Sequence, residues 1–79
     1  IEVSKSFGTL IAGNTVIGSG SDGINVSKSF GTGILGNLIL FSGGDGIDLE
    51  KTAGTIVSLN AILGADDNGI EVSDSAGTL

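Results

Sequence analysis

Four isoleucines, Ile1, Ile24, Ile47 and Ile70, stand 23 residues apart, and the chain between them repeats without a gap. A unit this short cannot bury its own apolar face, so its neighbours must bury it by stacking. The period divides the chain into coils 1–23, 24–46 and 47–69 and a partial coil 70–79, a single segment of a solenoid. In each coil Ile1/Ile24/Ile47/Ile70 and Val3/Val26/Leu49/Val72 flank a polar column, the alternation of a strand with one buried face. A polar corner (SKSF, SKSF, EKTA, SDSA) leads to Gly-Thr at 8–9, 31–32, 54–55 and 77–78, then to a second strand through Ile11, Ile34 and Val57. Asn14, Asn37 and Asn60 turn the chain into a third strand, Val16-Ile17, Ile39-Leu40 and Ile62-Leu63, which ends in a Gly- and Asp-rich corner. The predicted fold is all-β, about 3.5 coils with three short strands each. Fifteen glycines, and Ile, Val and Leu as nearly all the large apolar residues, agree with strands joined by tight turns.

Other solenoids of similar period do not fit. A leucine-rich repeat needs Leu five and eight residues before its Asn, where this chain has Thr and then Ser or Thr. A hexapeptide helix needs a period divisible by six, and a calcium β-roll needs successive nonapeptides. The stretch GGDGIDLE, residues 43–50, matches one such nonapeptide, but GSDGINVS and DDNGIEVS, its counterparts at 20–27 and 66–73, keep only the Gly and the alternation. It reads as one passage through a corner into the first strand.

With these columns in place, G-I-x-V followed by I-x-x-N-x-V/I, as in GINVSKSFGTGILGNLI, resembles the right-handed parallel β-helix repeat over essentially the whole chain. That family, the pectate-lyase-like solenoids, includes pectate lyases, polygalacturonases, alginate epimerases, phage tailspikes and bacterial surface proteins. The resemblance implies an Asn ladder at Asn14, Asn37 and Asn60, between the second and third strands. The physical reason is independent: Asn tolerates left-handed backbone in a tight bend, and amides stacked about 4.8 Å apart can hydrogen-bond to one another.

The polar column of the first strand, Glu2, Asn25, Asp48 and Glu71, and the preceding corner, with Asp22, Asp45, Asp66 and Asp67, would gather carboxylates from neighbouring coils. The resemblance places metal or catalytic carboxylates on this edge, so Asp45, Asp48, Asp67 and Glu71 are the candidates for a weak calcium site. Otherwise no cofactor is expected. A solvated acidic face is the plainer reading. Catalysis is not expected, because the family's lyases use a strong base, usually Arg, and this chain has neither Arg nor His, Trp or Tyr. The Lys column, Lys5, Lys28 and Lys51, gives way to Asp74, and Lys51 is expected to pair with Asp74 one coil above. The Thr column, Thr9, Thr32, Thr55 and Thr78, resembles the hydroxyl rows of ice-binding solenoids, although a second parallel row is missing.

Nine acidic residues against three Lys give a net charge of −6, which disfavours nucleic acid and anionic membranes as partners. No membrane-spanning segment is evident in the sequence. Ile11, Val16, Phe7 and their equivalents are expected to fill the interior. Leu10, Leu35 and Ile56 on the second strand, and Ile17, Leu38, Leu40 and Leu63 on the third, fall on columns expected to face outward and form an interface. The chain begins at the first column of a coil and stops at the tenth column of the fourth, without a polar cap, and is expected to be part of something longer. Taken together, a structural or adhesive solenoid is expected, secreted or at a cell surface, associating end to end or side by side. Alternatives are a non-catalytic scaffold within a polysaccharide lyase or hydrolase, with polysaccharide as partner, and a functional-amyloid-like repeat.

Overall fold

The computed structural model describes residues 1–77. Ten strands follow one another: β1 (Glu2–Ser4), β2 (Leu10–Ala12), β3 (Thr15–Ile17), β4 (Ile24–Ser27), β5 (Gly33–Leu35), β6 (Leu38–Leu40), β7 (Ile47–Glu50), β8 (Ile56–Ser58), β9 (Ala61–Leu63) and β10 (Ile70–Ser73). They form three parallel sheets, β1-β4-β7-β10, β2-β5-β8 and β3-β6-β9. Register follows the repeat without slippage: Ile24 stands on Ile47, Ile34 on Val57 and Ile39 on Ile62. The chain is a parallel β-solenoid with three strands in each complete coil.

One rule accounts for which columns are buried. In the middle coil, Ile24, Val26, Ser29, Thr32, Ile34, Asn37, Ile39, Ser42 and Asp45 are buried. Within a strand the spacing is two, as pleating requires. It becomes three wherever a left-handed residue intervenes: Lys28, Gly31, Gly36 and Phe41 all have positive φ. Each left-handed residue thus inserts one extra position, bends the chain and resets the alternation. The spacing of three between Ser42 and Asp45, across the loop, has no such residue within it.

The core is a stack of Ile24 and Ile47, Val26 and Leu49, with Ile11, Ile34 and Ile39; Val3, Val16, Val57 and Ile62 pack against it. Each fully buried aliphatic side chain contributes about 1.5–3 kcal/mol. The Gly preceding the first strand admits this packing. A Cβ on Gly46 would lie 2.4 Å from Ile62 Cγ2 and 2.6 Å from the Gly69 carbonyl oxygen, so only hydrogen fits beneath the next coil.

Four expectations need correction. Phe7 and Phe30 do not fill the interior; they are exposed and stacked on each other, ring centroids 5.2 Å apart at 12°, because Lys5 and Lys28 reset the alternation and put Ser6 and Ser29 inward instead. The corner Asn residues are not left-handed themselves; Gly13, Gly36 and Leu59, one position earlier, carry the positive φ. Thr32 and Thr55 are buried, so their column cannot present hydroxyls to ice; Thr78 lies outside the described residues. Lys51 and Asp74 occupy exposed left-handed corners one coil apart, and among the described residues no ion pair joins them.

Candidate functional site

Each corner of the solenoid is tied by a column of side chains that accept backbone N–H groups across coils. At the first, Ser29 Oγ accepts from Ser6 N at 3.2 Å and Ser75 Oγ from Thr52 N at 3.1 Å. At the second, Asn37 Oδ1 accepts from both Asn14 N and Asn14 Nδ2, and Asn60 Oδ1 accepts from Asn37 N and Nδ2. The spare amide hydrogens are also placed, since Asn37 Nδ2 donates to the Ile11 carbonyl and Asn60 Nδ2 to that of Ile34. At the third corner, Asp22 Oδ1 accepts from Asp45 N and Asp45 Oδ1 from Asn68 N, each at 2.8 Å. Two of the corner aspartates therefore have a structural task before any ligand is considered.

This third corner is also where chemistry could collect. Asp22, Asp45 and Asp48 each bring a carboxylate oxygen within 4.8 Å of the other two. Of the four metal candidates from the sequence, Asp45 and Asp48 belong to this group. Asp67 and Glu71 do not: both are exposed, Asp67 donates its backbone N–H to Gly44, and Glu71 takes a hydrogen bond from Asn68 Nδ2. Asp22 is the member that the choice of four left out. Its column was visible as Asp22/Asp45/Asn68, but only the coil geometry puts it beside Asp48.

Asn25 lies between these carboxylates. Its Nδ2 donates at 3.1 Å to both Asp22 Oδ2 and Asp48 Oδ2, and its backbone stands in register with Asp48. The arrangement still leaves Asp48 short of counter-charge. Burial, then the negative charges of Asp22, Glu71, Asp45 and Glu50, push its carboxyl up to about 6. Among the described residues there is no cavity to enclose a substrate beside it.

The remaining surface divides by charge. Every Lys, Asp and Glu lies on the first sheet or the corners flanking it, and residues 6–21, 29–44 and 52–65 carry none. The outer faces of the second and third sheets are correspondingly apolar. Leu10, Ile17, Leu38, Ile56 and Leu63 are exposed, Leu35 and Leu40 half-buried, with Phe41 exposed just after β6 and Leu59 just after β8. Large apolar side chains thus lie side by side over two of the three sides.

A protein-family model described as "Periplasmic copper-binding protein (NosD)" matches residues 1–79. No curated protein and no solved structure matches the chain.

Proposed function

This chain belongs to the periplasmic copper-binding protein (NosD) family, and we propose that within it these coils form a non-catalytic structural solenoid in the periplasm that associates laterally with a second copy of the chain. The observation that supports this reading is the segregation of charge. Two molecules of net charge −6 repel one another, except where they meet through faces that carry no charge and hold their acidic edges apart. The outer faces of β2-β5-β8 and β3-β6-β9 meet that condition, and in-register columns keep them regular enough to pack about 10 Å apart, as stacked sheets do. Rigidity comes from the three corner columns and the continuous Ile/Val/Leu stack.

The residues do not fit the metal in the family's description. Cu(I) is bound by thiolates and thioethers and Cu(II) preferentially by imidazole, and the chain contains no Cys, Met or His. Its one group of three ligand-type side chains among the described residues offers carboxylates only.

Sedimentation tests the association. The unaltered chain should form concentration-dependent dimers or larger species. Leu40→Lys/Leu63→Lys should be monomeric with an unchanged strand circular dichroism spectrum, and Leu63→Lys alone, at an exposed site, should weaken association if the half-buried Leu40 proves necessary for folding. A folded monomer at every concentration would overturn the proposal.

A further inference from the structure

We infer that the corner formed by Asp22, Asp45 and Asp48 is an amide-bridged structural clamp and that these coils hold no copper in either oxidation state. Donor chemistry is the first argument: the side chains that convene are oxygen donors of the kind that suits hard cations, and neither sulfur nor imidazole nitrogen occurs anywhere in the sequence. Occupancy of those oxygens is the second. Asp22 Oδ1 and Asp45 Oδ1 already accept backbone N–H groups, while Asp22 Oδ2 and Asp48 Oδ2 share the amide of Asn25. A cation held between Asp22 Oδ2 and Asp48 Oδ2 would compete with Asn25 Nδ2 for both oxygens, one of those contacts joining neighbouring coils. In a member of a family described as copper-binding, the coils would then supply framework alone. Copper would be held by residues or a partner bearing Cys, Met or His.

The test is a direct metal titration of the chain with its amino terminus acetylated, so that the terminal amine cannot serve as a nitrogen ligand. Cu(II) is added at equimolar concentration, followed by desalting and electron paramagnetic resonance. Cu(I) is offered under reducing conditions in the presence of bicinchoninate. The expected result is that copper separates from the protein on desalting, that Cu(II) bound before that step shows no nitrogen hyperfine structure and is displaced by calcium, and that Cu(I) stays with the chelator. Copper retained in stoichiometric amount through desalting, or Cu(I) withdrawn from bicinchoninate, would overturn the inference. A second arm addresses the clamp itself: Asn25→Ala should lower the denaturation midpoint at pH 7 more than at pH 4, where Asp48 is protonated. An equal effect at both pH values would show that the amide does not bridge charge.

Discussion

Asn37 donates both hydrogens of its side-chain amide, one to the Ile11 carbonyl at 3.0 Å and one to Asn60 Oδ1 at 2.9 Å, while its own Oδ1 receives Asn14. Fully buried, it couples three coils through one side chain. Asn37→Ala would take one donor from the Ile11 carbonyl and remove the acceptor of two Asn14 donors, with a desolvation penalty of about 1–3 kcal/mol for each buried group left unpaired. A loss of about 3 kcal/mol is expected in chemical denaturation. The exposed Asn68→Ala should cost far less. Comparable losses would mean that the stacking contributes little.

The carboxyl of Asp48 gives stability a pH dependence of definite sign. Held at about 6 against an ordinary value near 3.8, it binds its proton more tightly when folded, so its favourable contribution is complete below about pH 4 and is lost as pH rises through 6. Water reaches the half-buried group and screens the effect to about 1 kcal/mol or less. Urea midpoints should fall between pH 4 and pH 7, and Asp48→Asn should flatten that slope. Added sodium chloride should flatten it only in part, since Glu50 and Glu71 are exposed while Asp45 is buried and burial is the largest cause of the shift. A midpoint that rises over this interval would contradict the assignment.

Thr32 and Thr55 stack one above the other with their Oγ1 atoms buried and unpartnered. Thr→Val keeps the shape and replaces an unsatisfied hydroxyl by a methyl, so Thr32→Val should raise stability by about 1 kcal/mol. Ser29→Ala, at a residue of similar burial whose Oγ donates to the Ser27 carbonyl at 2.9 Å, should lower it. Opposite signs from two buried hydroxyls would separate satisfaction from burial. A loss in Thr32→Val would reveal a partner for the hydroxyl.

The contrast between these columns explains what the sequence disclosed. A fixed 23-residue period determines register, because a one-residue slip would put Ile24 over Asp48 or Gly46 instead of Ile47, and strand alternation then identifies the core of the first sheet. Corners are different. Whether Phe7 or Ser6 turns inward depends on Lys5 being left-handed, and nothing in the side chain of a Lys announces positive φ. The Gly at positions 8, 13 and 18 announces its bend; Lys5, Phe41 and Leu59 do not. The acidic corner was hidden for the same reason. Asp22 and Asp48 lie in different columns of different coils, and only the path of the loop brings them together.

Leu59 makes the last prediction, because it occupies a left-handed position that coils one and two give to Gly13 and Gly36. Left-handed backbone costs a β-carbon-bearing residue about 1–2 kcal/mol, and the extra unfolded-state entropy of Gly returns about 0.5–1 of that. Leu59 recovers little through burial, since its side chain is 89% exposed. Leu59→Gly should therefore stabilise the isolated monomer by about 0.5–1 kcal/mol. Gly36→Ala should destabilise it by a similar amount, because a Cβ there meets nothing within 4 Å and only the backbone term changes. Strain kept at an exposed apolar side chain points to a use for that side chain, and Leu59 stands at the corner between β8 and β9, both on uncharged faces. The two readouts should diverge: Leu59→Gly raises the denaturation midpoint at low concentration while weakening sedimentation-detected association. If both rise together, the side chain lies outside the contact and the strain at Leu59 is unrelated to assembly.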